Sequence, residues 1–77
     1  MSTEREHFWQ VMQKFPMPGD KEALGLLTAA ASKWREANNY FGAGYAMGWA
    51  GHAALGDSEQ LYSCITTAIH DYTKCVE

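Results

Sequence analysis

The stretch NNYFGAGYAMGWAGHAALGD, Asn38 to Asp57, decides how this chain folds. No Lys, Arg, Asp or Glu falls between Glu36 and Asp57, yet Gly42, Gly44, Gly48 and Gly51 sit among Tyr40, Phe41, Tyr45 and Trp49. Three readings compete: a membrane span, a phosphate-cradling loop, or a helix buried on nearly every side. A span needs ~20 predominantly apolar residues, and this segment spends its length on Asn38, Asn39, His52 and glycines. A dinucleotide fingerprint needs a preceding strand and Gly at its first, third and sixth positions. Here Gly42 and Gly44 are followed by Met47 at the sixth, after a helical pattern.

The buried helix remains, and its wheel has two unlike faces. Leu55, Gly48, Phe41, His52, Tyr45 and Trp49 fall within one third of the circumference, with Ala53, Ala46, Ala50, Ala43 and Ala54 opposite and Gly44 and Gly51 on a flank. Four interior glycines cost about 4 kcal/mol in helix propensity relative to alanine, a large share of the ~5 kcal/mol that holds a small domain folded. Close backbone contact must offset that. The reading therefore makes this helix central: a neighbour approaches its small face closely, with Gly44, Gly48 and Gly51 as packing positions and Gly48, between the aromatic face and the Gly44 and Gly51 flank, at the closest point, while its aromatic face fills the gap on the other side.

The segments on either side are helical too. Asp20 is a good N-cap, and after it Leu24, Leu27, Ala31 and Trp34 form one stripe, with Lys21, Glu22, Thr28, Ser32, Lys33 and Arg35 mostly off it. Asn38 and Asn39 make the next break, since asparagine tolerates turn conformations and caps helices. Gly56 and Asp57 hand one helix over to the next, with Gln60 at the reach-back position. Leu61, Ile65, Ala68, Tyr72 and Val76 then repeat at helical spacing, with His70 and Asp71 on the solvated surface. At the N-terminus, Thr3 and Glu6 form a capping box ahead of Phe8, Val11, Met12 and Phe15, with Trp9 at the edge of that stripe. Pro16 and Pro18 stop the helix. The expectation is an all-α, four-helix domain of antiparallel hairpins, with helices near residues 3–15, 20–37, 39–55 and 58–75. Residues 1–77 make one domain, which could be the N-terminal part of a longer protein.

Composition bounds the function. An apolar share of 47% with 13% aromatics supports a packed core, although a chain of 77 residues buries only roughly 60% of its unfolded surface. A net charge of -3 and six basic residues leave no basic stripe for nucleic acid or an anionic membrane. Cys64 and Cys75 lie about 16 Å apart along one helix, beyond the roughly 7 Å a disulfide allows. They read as two semi-buried reduced thiols in a cytoplasmic protein, and MSTEREHFWQ has charges where a signal peptide needs an apolar run, which disfavours secretion.

The run GWAGHAALGDSEQLYSCITTAIHDYTK, Gly48 to Lys74, resembles a tetratricopeptide-type helical hairpin: a small-residue-rich first helix, a Gly-Asp turn, then a helix with an Ala-Ile pair and a following Tyr. The resemblance covers about Tyr40 to Lys74, and Leu61 stands where the family pattern has a small residue. The segment from Asp20 supplies the second helix of a preceding unit. Its register, judged from Ala23 and Leu61, exceeds the usual 34 residues and is closer to the longer repeats of the attachment-protein type. The resemblance implies a TPR-like pairing of the last two helices and a protein-interaction scaffold with no chemistry of its own.

Motifs for chemistry are missing. His7, His52, His70, Cys64, Asp57, Glu59 and Asp71 show no His-Glu-x-x-His, no Cys-x-x-Cys and no pair of the helical Glu-x-x-His motifs of the di-metal bundles. A pairing of Cys64 with His52 or His70 is defined only by geometry. The expectation is no enzyme, no catalytic residue, no metal and no cofactor. Two functions follow. In the first, the chain is a protein-interaction or adaptor module, self-associating through apolar helix faces, with Trp9 as the exposed anchor beside Phe8, Met12 and Tyr40. In the second, a helical bundle holds a planar apolar ligand near Tyr45 and Trp49, oriented by His52.

Overall fold

A computed structural model describes residues 3–14 and 17–77. It contains four helices and, among the described residues, no strand: α1 Thr3–Lys14, α2 Lys21–Glu36, α3 Tyr40–Ala53 and α4 Ser58–Val76. The helix boundaries come from local chemistry. Asp20, Asn39 and Asp57 are the N-caps, their side chains accepting from the backbone N–H groups of Ala23 at 3.0 Å, Gly42 at 2.9 Å and Gln60 at 3.2 Å. The second and third helices are therefore shorter than the sequence implies, because Asp20 and Asn39 sit outside them as caps. Gly19 and Gly56 precede two of the caps at φ 86° and 101°, in the left-handed region where a side chain is strained. The Thr3, His7 and Val11 side chains, and the stop at Phe15 and Pro16, lie outside the described residues.

Three residues link α2 to α3 and four link α3 to α4, so each pair reverses direction and packs as a hairpin. Each helix packs on its neighbours in chain order, α1 on α2, α2 on α3 and α3 on α4. The Gly19 N–H also donates to the Ala53 carbonyl at 2.8 Å, tying the first turn to the end of α3. The steps from Thr3 to Tyr40 and from Lys21 to Ser58 are both 37 residues, and the same step carries Gly19-Asp20 onto Gly56-Asp57.

The third helix is central, as its glycines require, but it is buried on its small arc alone. Ala43, Ala46 and Ala50 have no exposed surface, and they meet Ala30, Ala31 and Leu27 of α2 in a core built mainly of alanine. Such side chains leave no deep gap between helices, and the fold is a slab of 32 × 28 × 14 Å. The aromatic arc therefore stays outside, with Phe41 and Tyr45 exposed and Trp49 and His52 half-buried, which corrects the expectation that it fills an interior gap.

The close approaches fall at other glycines than Gly48. A Cβ on Gly44 would lie 2.9 Å from the Tyr72 ring, one on Gly42 2.9 Å from the Trp34 indole, and one on Gly51 3.1 Å from the Ile65 methyl. At Gly48 the same Cβ would meet nothing within 4 Å. Gly44 and Gly51 face α4 as helix-packing positions; Gly48 points to solvent with the aromatic arc.

In α4 the inward stripe is half-buried Leu61 with buried Cys64, Ala68 and Asp71; Leu61 and Ala68 stand where expected, whereas Cys64 and Asp71 take the places expected for Ile65 and Tyr72, which with Val76 keep exposed surface. Asp71 is wholly buried, not solvated, because the Arg35 guanidinium reaches it from α2. Of the two thiols, which are both free, Cys64 is buried and Cys75 is fully on the surface.

Candidate functional site

The exposed rings of Trp9, Phe41, Tyr45 and Tyr72 form one belt across α1, α3 and α4, joined through buried Phe8. Phe8 of α1 wedges between Trp34 of α2 and Tyr45 of α3, with ring centroids 5.6 and 5.5 Å away. Trp9 meets Phe8 edge-on at 5.9 Å and keeps 59% of its surface exposed. Phe41 stacks on Tyr45 at 6.3 Å and leans on Tyr72 of α4 at 6.1 Å. Offset and edge contacts of this kind hold rings in place without burying them, so the belt is a preformed apolar surface.

The four residues expected to contact a partner do not act alike. Trp9 is open to solvent, whereas Phe8 is only 7% exposed and belongs to the core, which removes it as a surface anchor. Met12 is half-buried against that core, and Tyr40 is half-buried at the start of α3. The helical stripe of α1 places Phe8 and Met12 on the inner face and leaves Trp9 outside.

The three residues expected to hold a ligand do come together. Tyr45, Trp49 and His52, with Gly48 and Tyr72, line a shallow hollow of about 290 Å³, and Trp49 meets His52 edge-on at 5.8 Å. A larger hollow of about 580 Å³ lies where the α3–α4 turn meets the start of α2, between Gly19, Lys21, Leu24, Leu55 and Gln60. Nothing in the sequence pointed to it, because it arises from the packing of two turns.

Electrostatics keep the belt neutral. Burial pushes the Tyr72 hydroxyl up from its ordinary pKa, with the nearby Tyr45 and Cys75 adding to the shift. Burial also pushes the Cys64 thiol up, away from the thiolate that nucleophilic chemistry needs. Among the described residues no group of three or more His, Cys, Asp or Glu is placed to hold a metal, and no helix is long and apolar enough to cross a membrane.

The sequence reading missed the outer face of α4. Tyr62, Ile65, Ile69 and Val76 are all exposed, Tyr62 by 75% and Ile69 by 60%. The signal was present: α4 carries two interleaved apolar stripes, and a helix at the edge of a slab buries only one. No known family model matches the chain, and no curated protein or solved structure is significantly similar to it.

Proposed function

We propose that this protein is a non-enzymatic protein-interaction module that self-associates through its apolar helix faces. The observation that carries this is the run of exposed rings and aliphatic side chains from Trp9 through Phe41 and Tyr45 to the outer face of α4. Contiguous apolar surface rich in Trp and Tyr is the composition of interface cores. The 37-residue step that relates both pairs of helices and both Gly-Asp turns supports reading the hairpins as tetratricopeptide-like units. Six basic residues in a chain of net charge -3 disfavour nucleic acid and anionic membranes as partners, and two free thiols suit a reducing, cytoplasmic compartment. Sedimentation equilibrium over micromolar to millimolar concentration tests the reading. A mass rising above that of the monomer is expected, and a strictly monomeric chain throughout would overturn it.

The hollow at Tyr45, Trp49 and His52 supports a second reading, a small apolar ligand. In that case a naphthalene-based fluorescent probe saturates at one per monomer, and Gly48→Leu, which fills the hollow, abolishes binding while the fold survives.

A further inference from the structure

We infer that two copies of the chain pair through the exposed flank of α4, the side on which Ile65 and Tyr72 also border Gly51 and Gly44 of α3, running antiparallel about a two-fold axis at the level of Thr67, with Tyr62 against the second copy's Tyr72 and Ile65 against its Ile69. The inference rests on the self-association proposed above and names its surface and geometry. Tyr62, Ile65, Ile69, Tyr72 and Val76 follow one another at steps of 3, 4, 3 and 4, the spacing that seats one helix along another. All five keep exposed surface, Ile65 and Tyr72 the least because they also border α3.

The order of these side chains favours an identical partner. Tyr, Ile, Ile, Tyr reads the same from either end about Thr67, so a reversed copy places ring against ring and Ile against Ile in the four central layers, with Val76 against Ser58 at each end. A two-fold interface requires that self-complementarity, and an unrelated partner does not. Charge agrees. The positions flanking the four central layers of the seam, Leu61, Thr66, Ala68, Thr73 and Cys75, carry none, so identical chains of net charge -3 meet no repulsion there.

The repeat argues against a third hairpin as the occupant. Trp34 of α2 anchors α3 at Gly42, but its counterpart 37 residues on is Asp71, already bound to Arg35. Conversely, the α2 counterparts of Tyr62, Ile65, Ile69 and Tyr72 are Gly25, Thr28, Ser32 and Arg35, so the seam belongs to α4 alone.

The test combines sedimentation equilibrium of the wild type and Ile69→Glu with a spin label on Cys75 in a Cys64→Ala background. Ile69 is exposed in the monomer, so Ile69→Glu should leave the helical circular dichroism unchanged. It should weaken association at least about 100-fold, because each copy would bring an unpaired carboxylate into an apolar seam. The two labels should lie about 24 Å apart, since each Cys75 sits eight residues from the axis at ~1.5 Å per residue. Association unaffected by Ile69→Glu, or labels within about 12 Å as a parallel pair would give, would overturn this inference and leave self-association standing. A wild type that stays monomeric would overturn both.

Discussion

Asp71, with none of its surface exposed, accepts two hydrogen bonds from Arg35, from Nε at 2.9 Å and from Nη2 at 2.7 Å. This fork joins α4 to α2 across 36 residues of chain. The planar guanidinium fits a carboxylate in two places at once, and the two bonds hold Arg35 more firmly protonated than usual. The two ends differ in exposure, because a third of the Arg35 side chain still reaches solvent.

That asymmetry sets the first prediction. Arg35→Ala strands a buried carboxylate and should cost about 3 to 5 kcal/mol, enough to unfold much of the population of so small a domain. Asp71→Ala leaves a guanidinium that water can reach and should cost about 1 to 3 kcal/mol. Urea unfolding of both variants checks the order; equal costs would mean that the fork carries no buried-charge penalty.

The glycines of α3 should separate by sign. Gly48→Ala adds a methyl group in open space and should stabilise by up to about 1 kcal/mol, and Gly25→Ala should do the same. Gly42→Ala drives a Cβ into the base of the Trp34 ring and should cost about 1 to 3 kcal/mol. Thermal unfolding decides, and a stabilised Gly42→Ala would refute the close approach of α2 and α3.

Neighbouring residues of α1 should behave oppositely. Phe8→Ala empties the space between Trp34 and Tyr45 and should destabilise the fold by about 3 to 5 kcal/mol. Trp9→Ala should change stability by less than about 1 kcal/mol, because its ring already lies open to solvent. Urea denaturation of each variant distinguishes the two roles.

The thiols give a pH signature. Cys64 has its pKa raised in the folded chain, so above about pH 8.5 the unfolded thiol ionises first and stability falls as pH rises; below that value its contribution is complete. Cys64→Ala should remove part of that alkaline loss. An aromatic disulfide reagent should modify exposed Cys75 at once and Cys64 only at the rate of unfolding.

The sequence alone determined the four helices and the starts of three of them, since Asp20, Asn39 and Asp57 cap backbone groups three residues away and such local chemistry needs no knowledge of the fold. It also determined that α3 is central, because its interior glycines demand close contact. Only the tertiary structure decided which arc of each helix found a neighbour. Periodicity gives the width of an apolar stripe, and both stripes of α4 fit it; the one carrying Cys64 and Ala68 is buried in the core, while Ile65 and Tyr72 of the other meet Gly51 and Gly44 of α3 only at its edge. Gly48 and Gly44 are alike as residues and differ only in having Tyr72 opposite one of them. Asp71, beside exposed His70, became a buried anchor because Arg35 arrives from 36 residues away, and a contact of that range is set by how helices stack rather than by any local pattern.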